Sequence, residues 1–312
     1  YILNNDGKGN FKEVTEQVAP GLKGVGMITD ASWEDIDADG DPDLILVGEY
    51  IPIKVFLNES GKLKEQTAES GFTNTEGWWN RIEAGDLDQD GDVDFVVGNH
   101  GLNSRFRASV DKPVCMYVND FDQNGNIEQI ICNYYGDQSY PMVLRHDLVS
   151  QIPSLKKKYL KYESYKDQTI TDIFTPEQLE GAIKLDVHQL QTSVLINQGG
   201  GKFSIKALPI EAQSAPMFGI EITDLEGDGH LDILLGGNLY RTKPEVGRYD
   251  ASYGVYLRGD GKGNFSFVSA KESGIKIDGE VRDILTLKSK QGDLLLISRN
   301  NDSLVAFKKN TK

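Results

Sequence analysis

Apolar and polar positions follow one short pattern that recurs along most of the chain. Short apolar runs are followed by Asn, Asp and Gly, and then by an aromatic residue or Leu that opens another apolar run. Runs of this kind, bounded by residues that accept positive φ, are typical of β-strands joined by tight turns. The pattern therefore predicts a series of antiparallel hairpins.

One hexamer, DGKGNF, occurs at residues 6–11 and again at 260–265. Looser copies of the same strand, turn and strand occupy residues 54–63 and 194–203. We interpret all four as one repeated hairpin. The second copy overlaps an Arg-Gly-Asp tripeptide at 258–260, which we interpret as part of the turn rather than as an adhesion motif.

A second repeated element is a nine-residue acidic loop followed at once by an apolar run. Acidic or amide residues stand at positions 1, 3, 5 and 9, and Gly stands at position 6. A hard divalent cation needs oxygen ligands on alternate residues and a sharp turn between them, so the loops predict calcium sites for three or four ions. Position 7 would add its backbone carbonyl. The predicted metal residues are Asp35, Asp37, Asp39, Asp41 and Asp43; Asp86, Asp88, Asp90, Asp92 and Asp94; Asp120, Asp122, Asn124, Asn126 and Glu128; and Asp224, Glu226, Asp228, His230 and Asp232.

These loops are not EF-hands, because an EF-hand needs Glu at position 12 and flanking helices. Position 12 here falls within apolar runs, at Leu46, Val97, Ile131 and Leu235. Ordinary acidic turns without an ion remain the alternative. A fifth copy of this repeat is expected at residues 281–298. It keeps the two strands but lacks the acidic residues of the loop.

The two elements combine into a repeat of four strands, with an acidic loop between the first two and a Gly-rich turn between the last two. In the first repeat the expected strands are 27–34, 43–47, 54–57 and 63–66. Such repeats are typical of propeller blades. We therefore predict an all-β fold, a β-propeller of four-stranded antiparallel blades in a single domain over residues 1–312. About five blades and a half-blade are expected here, and six or seven in the intact molecule.

The segment 147–190 breaks this pattern. Residues 154–162 have helical spacing, and Thr175-Pro176 fits a capped helix start. We predict a mostly helical insertion within the third blade. Its Lys run could meet an acidic partner or form a solvated helix face.

The acidic loops resemble the FG-GAP or VCBS-type repeats of integrin-α-like propellers. More loosely, residues 121–125 and 247–251 are similar to stretches of bacterial exported proteins that carry ASPIC/UnbV-type domains. The resemblance implies a propeller fold, bound calcium and export, and hence an extracytoplasmic location. It implies no particular activity.

The charge composition restricts the class of partner that the chain could bind. The chain has 48 acidic and 33 basic residues, a net charge of -15, which argues against a nucleic-acid partner. No apolar run is long enough to predict a membrane span. Cys115 and Cys132 are expected opposite each other in a hairpin, either as a cross-strand disulfide or as two buried thiols.

The connections at the end opposite the acidic loops carry more aromatic, charged and amide side chains. We therefore expect any ligand surface there. The candidates are Trp78, Trp79, His100, Asn103, Arg241, Arg248, Tyr249 and Asp250. The two Trp could instead pack between blades. The leading hypothesis is an exported, calcium-stabilised module that binds a protein or a glycan. The alternatives are a polysaccharide hydrolase or lyase using Glu49, Glu83 or Asp250, and a structural module of a larger surface protein.

Overall fold

The structure is a computed structural model, and it describes residues 1–290 and 292–308. The predicted all-β class is confirmed, because most elements are strands in separate antiparallel sheets. The strands are β1 Leu3–Asn5, β2 Phe11–Glu13, β3 Met27–Glu34, β4 Asp43–Ile51, β5 Lys54–Asn58, β6 Leu63–Glu65, β7 Gly77–Trp78, β8 Arg81–Gly85, β9 Asp94–Gly98, β10 Val114–Asn119, β11 Glu128–Tyr135, β12 Gln138–Pro141, β13 Ile183–Val187, β14 Ser193–Asn197, β15 Phe203–Ala207, β16 Met217–Thr223, β17 Asp232–Gly237, β18 Val255–Gly259, β19 Phe265–Val268, β20 Val281–Leu287, β21 Leu294–Arg299 and β22 Val305–Lys308.

The helices are short. They are α1 Thr15–Val18, α2 Arg145–Gln151, α3 Ile170–Ile173, α4 Pro176–Glu180 and α5 Ala270–Ser273, with 3-10 turns at Pro20–Leu22, Pro153–Lys156, Tyr162–Ser164 and Ile210–Gln213. No helix in the described part of the chain is long and apolar enough to cross a membrane.

The chain divides into two compact units. Unit 1 comprises Tyr1–Ser104 and the chain from Leu190 onward, and unit 2 is Arg105–Gln189. Unit 2 is inserted between β9 and β14, which pair with each other in one sheet. The single domain over 1–312 and the insertion limits 147–190 stay predictions.

Unit 1 contains four larger sheets and an N-terminal hairpin, β1–β2. The first sheet runs β3-β4-β5-β6, with β7 paired to β4, and the second runs β8-β9-β14-β15. The third runs β16-β17-β18-β19, and the fourth β20-β21-β22. Each sheet is propeller-like in having an up-and-down order of antiparallel strands, and the described strands form no closed sheet. The strand limits expected for the first repeat agree with β3 to β6 to within a few residues.

The sheets of unit 1 stack face to face, which explains the continuous apolar runs. Successive side chains of a strand point to opposite faces. In β9, Phe95 and Val97 pack in a core with Ile45 of the first sheet, whereas Val96 packs in the next core with Ile233 of the third. A strand buried on both faces must be apolar at every position.

Unit 2 is built on a sheet in the order β12-β11-β10-β13. Cys115 lies directly opposite Cys132 in this sheet, and both are buried free thiols in the structure. The start of α4 is confirmed, because Thr175 forms a capping box with Gln178. The prediction of a helix over 154–162 is wrong, because this segment contains only part of the 3-10 turn Pro153–Lys156 and the start of the turn Tyr162–Ser164. Arg145 Nε donates to the Tyr159 carbonyl at 2.6 Å, so that carbonyl bonds a side chain instead of a helical N–H.

Gly48 lies where two strands approach closely. A Cβ added at this position would lie 2.1 Å from the Met27 carbonyl oxygen on the paired strand. We therefore expect Gly48→Ala to lower the free energy of unfolding of unit 1 by about 1–3 kcal/mol, the usual cost of overpacking. Urea unfolding followed by Trp fluorescence measures it, since Trp33, Trp78 and Trp79 all lie in unit 1.

Gly21→Ala is the matched control. Its added Cβ would meet only the edge of the Phe56 ring, at 3.4 Å. We expect this variant to unfold within about 0.5 kcal/mol of the parent. Equal losses in the two variants would contradict the proposed clash.

Candidate functional site

The four acidic loops share one backbone conformation. The residue at position 4 has positive φ in every loop: Ala38 62°, Gln89 63°, Gln123 57° and Gly227 80°. The Gly at position 6 follows with φ between 89° and 94°. The Gly at position 6 is evident from the sequence pattern, whereas position 4 is not, because three different residue types occupy it. Two left-handed residues so close together turn the chain sharply, which directs the side chains of positions 1, 3 and 5 inward.

Carboxylates hold this turn from within. In the first loop, Asp35 accepts the N–H groups of Asp39 and Gly40 at 3.1 and 3.0 Å, and Asp39 Oδ1 accepts the N–H of Asp41 at 2.9 Å. The other loops repeat the bond from the N–H of position 7 to the side chain of position 5, at Asp92 to Asp90, Asn126 to Asn124 and His230 to Asp228. The N–H of position 7 thus closes the turn in all four loops, and its carbonyl as a metal ligand stays a prediction.

The buried carboxylate at position 9 ties each loop to the strands beside it. In the second loop, Asp94 Oδ2 accepts the Leu87 N–H and Oδ1 accepts the Asn197 N–H of β14, both at 2.8 Å. The same two bonds are made by Asp43 with Ile36 and Asn58, and by Asp232 with Leu225 and Gly259. In unit 2, Glu128 accepts the Phe121 N–H at 3.0 Å. These four residues have a structural role in addition to the predicted one.

Three loops gather carboxylate oxygens closely enough to share a cation. One oxygen from each member of a group lies within 4.8 Å of the others in Asp35, Asp37 and Asp39; in Asp86, Asp88 and Asp90; and in Asp120, Asp122 and Glu128. Asp86 Oδ1, Asp88 Oδ1 and Asp122 Oδ1 are buried and accept no hydrogen bond from any described residue. Buried carboxylate oxygens without donors fit a cation, because leaving them unpaired is costly.

The fourth loop differs because a neighbouring arginine side chain binds Glu226, the residue at position 3. Arg258 Nε donates to Glu226 Oε1 at 2.9 Å, and the Tyr256 hydroxyl donates to the same oxygen at 3.0 Å. Hydrogen bonds from Arg258 lower the pKa of Glu226. The Arg of the Arg-Gly-Asp tripeptide is therefore bound within its own sheet, as expected for a turn.

Burial and like charges raise the pKa of several loop carboxyls. Desolvation and the neighbouring Asp90 raise the pKa of Asp88, and desolvation and Asp39 raise that of Asp37. Burial raises the pKa of Asp94 to about 6. Without a cation, the charged forms of these groups are disfavoured.

The two DGKGNF turns have the same internal bonds. In the first, Asp6 Oδ1 accepts the N–H of Lys8 at 2.7 Å and that of Asn10 at 3.2 Å. In the second, Asp260 Oδ1 accepts the equivalent groups at 2.9 and 3.1 Å. The Asn side chain donates to the second carboxylate oxygen in both. The hexamer is therefore a self-contained turn.

An aromatic row lies at the other end of the strands in unit 1. Trp78 packs edge to face with Tyr50, their ring centroids 5.9 Å apart, and with His100, at 5.0 Å. His100 packs in the same way with Tyr249, at 4.9 Å. Tyr50 lies next to the last residue of β4, His100 lies just after β9, and Tyr249 lies in the connection from β17 to β18, so residues from three sheets build the row. We call these four residues the aromatic row.

The other residues of the predicted ligand face have mixed outcomes. Trp79 does not belong to it, because it is fully buried and its Nε1–H donates to the Thr75 carbonyl at 2.9 Å. Arg248 is exposed and stacks over the Tyr240 ring at 5.1 Å. Asn103, Arg241 and Asp250 are exposed. Asn103 Nδ2 donates to the Ser214 carbonyl at 3.0 Å.

The carboxylates considered for catalysis lie apart from the loops. Arg81 of β8 contacts Asp30 of β3 at 3.3 Å, Asp283 of β20 at 3.1 Å and Glu83 at 3.7 Å. Burial raises the pKa of Glu83 and of Glu49. The first strands of three sheets are thus joined by a mixed-charge cluster around one guanidinium. Catalysis by Glu49, Glu83 or Asp250 stays a prediction.

Comparison with known proteins supports part of the resemblance. Residues 35–97, which contain the first two acidic loops, match the family model described as an FG-GAP-like repeat. This confirms the FG-GAP resemblance over that segment, and the VCBS and ASPIC/UnbV features stay predictions. No curated protein matches the chain.

Among solved structures, one on the specific recognition of non-reducing terminal N-acetylglucosamine by an Agrocybe aegerita lectin is matched at a TM-score of 0.22 and 13% identity. The match covers 90% of this chain and 81% of that chain. A likeness this low carries no information about what this chain binds.

His100 should give the protein a pH dependence. Burial lowers its pKa from 6.5 to about 4. Below pH 6.5 the unfolded chain therefore takes up a proton that the folded chain does not, so stability falls as the pH falls from about 6.5 to about 4. We expect His100→Asn to lose this contribution. Urea unfolding at pH 7 and pH 5 should show a smaller drop for the variant than for the parent. Equal drops would contradict the assignment.

Proposed function

We propose that this chain is a calcium-stabilised binding module that acts outside the cytoplasm and takes a glycan on its aromatic row. The observation that carries this proposal is the aromatic row itself, built from three sheets at the end opposite the acidic loops. A protein ligand is the alternative occupant.

Calcium is the cation that the loops suit best. They offer hard carboxylate oxygens and backbone carbonyls in a flexible turn, without the Cys ligands that zinc prefers. Their one His, His230, stands at position 7, where the backbone is the expected ligand. Unpaired oxygens of Asp86, Asp88 and Asp122 support sites in the second and third loops. The gathered oxygens of Asp35, Asp37 and Asp39 support a site in the first loop, and the fourth loop would need Glu226 to leave Arg258. Extracellular loops of this kind bind calcium at about 10⁻⁴ to 10⁻³ M. An exported protein would meet such concentrations, which supports a location outside the cytoplasm.

Asp88→Asn tests the second site. Asp88 offers a buried oxygen without a donor, whereas Asp92, at position 7, is expected to contribute only its backbone. We expect Asp88→Asn to bind one ion fewer than the parent, and Asp92→Asn to bind the same number. Native mass spectrometry after calcium titration counts the ions. Thermal melts in EGTA and in calcium should show a smaller calcium-induced rise in Tm for Asp88→Asn alone. Equal ion counts in the two variants would contradict the site.

The aromatic row suits sugar rings. Tyr50, Trp78 and Tyr249 are half-buried, so each ring is fixed by packing while part of it stays open. Rigid aromatic side chains with little conformational freedom to lose are efficient binding groups. Exposed Arg248, Arg241 and Asp250 nearby add polar groups that could bind hydroxyls. Packing against one another holds the rings in place before a ligand arrives.

Trp78→Ala tests the row, with Trp33→Ala as the matched control. Trp33 is 49% exposed on β3 and is not part of the row. On a glycan array we expect Trp78→Ala to lose about tenfold or more in apparent affinity for any glycan that the parent binds, as aromatic anchors do. Trp33→Ala should bind as the parent does. Binding only to proteins in a parallel pull-down would replace the glycan with a protein ligand.

A further inference from the structure

Unit 2 carries a cationic segment in a chain that is acidic as a whole. Residues 145–161 contain five Lys and Arg residues and one Asp, whereas the chain has a net charge of -15. Lys156, Lys157 and Lys161 are exposed, and none of them forms an ion pair with a described residue. Their charges are therefore available to an anionic partner.

The acidic residues nearest to these lysines contact other side chains. Asp147 Oδ1 lies 3.1 Å from His146 Nε2, and Glu163 Oε1 lies 2.8 Å from Lys166 Nζ. Neither carboxylate thus neutralises the lysines of the segment, whose surface is cationic.

Arg145 joins the start of α2 to the residues that follow the lysine run. Its Nε donates to the Tyr159 carbonyl at 2.6 Å, and its Nη2 donates to the Leu160 carbonyl at 3.0 Å. Its guanidinium carbon lies 5.6 Å from the centroid of the Tyr162 ring, within cation–π range. The Tyr162 hydroxyl hydrogen-bonds to His146 Nδ1 at 2.8 Å. These two stretches of the chain therefore form one surface.

The core of unit 2 supports this surface from beneath. Tyr159 is fully buried and packs in the same core cluster as Leu148 of α2. The preceding side chain also points inward, because Lys158 Nζ donates to the carbonyl groups of Asp172 and Ile173. The chain is thus fixed at residues 158 and 159, which leaves the residues on either side at the surface.

Apolar side chains stand beside the exposed charges. Leu160 is 74% exposed although it follows the buried Tyr159, and Tyr162 is 54% exposed. Leu144, just before α2, is exposed as well. A single exposed Leu is ordinary, but here exposed apolar side chains and lysines share one short segment. We call this surface the basic patch; it comprises Arg145, Lys156, Lys157, Leu160, Lys161 and Tyr162.

This combination of side chains fits the surface of an anionic bilayer. Lysines and arginines are attracted to anionic headgroups, an exposed Leu gains by leaving water for the acyl boundary, and Tyr is favoured at the interface between them. A soluble polyanion would use the lysines and leave Leu160 in water. An acidic protein would need an apolar pocket placed among its carboxylates. A bilayer offers both environments without a matching shape.

We propose that the basic patch of unit 2 binds the surface of a bilayer rich in anionic lipid, with Leu160 inserted among the headgroups. The lysines would lie against the lipid phosphates. Because the patch is small and much of the attraction is between exposed charges, the attachment is reversible and weakens with salt. It would hold a ligand-binding module at a membrane without a spanning segment.

Cosedimentation with vesicles measures this attachment. We expect the full chain to bind vesicles of equal parts phosphatidylcholine and phosphatidylglycerol, and not phosphatidylcholine alone. Lys157→Gln combined with Lys161→Gln should weaken binding by about tenfold or more. Lys262→Gln combined with Lys271→Gln is the matched control, because it makes the same charge change at exposed positions of unit 1. Failure to bind the anionic vesicles, or equal effects of the two double variants, would overturn the proposal.

A fluorescent label tests the insertion of residue 160. Leu160→Cys and Ile210→Cys are each labelled with the environment-sensitive dye NBD, and the native Cys115 and Cys132 are buried and thus protected. Ile210 is the matched control, because it is 69% exposed in unit 1. On anionic vesicles we expect a blue shift, and quenching by spin-labelled lipid, at residue 160 only.

The other occupants give different results. Vesicle binding without a blue shift at residue 160, abolished by heparin, would assign the patch to a soluble polyanion. Binding to immobilised poly-glutamate but not to vesicles would assign it to an acidic protein. Either result would overturn the bilayer contact.

Discussion

Two hydrogen bonds to one buried carboxylate join the acidic loop to its strands in each of the first three sheets of unit 1. At the ninth loop position, Asp94 accepts one N–H from its loop and one from β14, so it joins the turn to two strands. Burying the charge raises its pKa to about 6, and the two N–H donors oppose that shift. Without the carboxylate, both buried N–H groups would be unpaired, at about 1–3 kcal/mol each. The loop geometry therefore depends on this side chain before any cation is considered.

Because the position-9 carboxylate fixes its loop, the loop can in turn support the adjacent sheet. The Leu87 N–H is bound by Asp94, and the Leu87 carbonyl accepts the Gly263 N–H from the next sheet. Gln89 Nε2 donates to the Gly229 carbonyl of the fourth loop at 2.7 Å. The acidic loops are thus contacts between sheets as well as candidate ion sites. An ion that orders one loop would also order the turn of the adjacent sheet that contacts it. Cation binding would therefore stabilise the packing of one sheet on the next.

The sequence predicted the local elements well and the long-range ones poorly. The limits of β3 and the Gly at loop position 6 follow from alternation and turn chemistry, which are local. The second sheet was less predictable, since β9 pairs with β14, which lies beyond the whole of unit 2. Glu226 was predicted as a ligand from its spacing alone, and only the fold brings Arg258 to it. Trp78 and Trp79 were grouped together, although adjacent residues of an extended chain point to opposite sides.

The acidic loops and the aromatic row lie at opposite ends of the strands, and this distance limits how a cation can affect a ligand on the row. β4 runs from Asp43 of the first loop to Tyr50 of the row, and at about 3.3 Å per residue this spans roughly 20 Å. Charges that far apart are largely screened at physiological ionic strength, where the Debye length is about 8 Å. A cation would therefore affect the row through the order of β4 and its partners. Its effect on ligand affinity should consequently follow its effect on the stability of unit 1, and should not depend on the charge of the ligand.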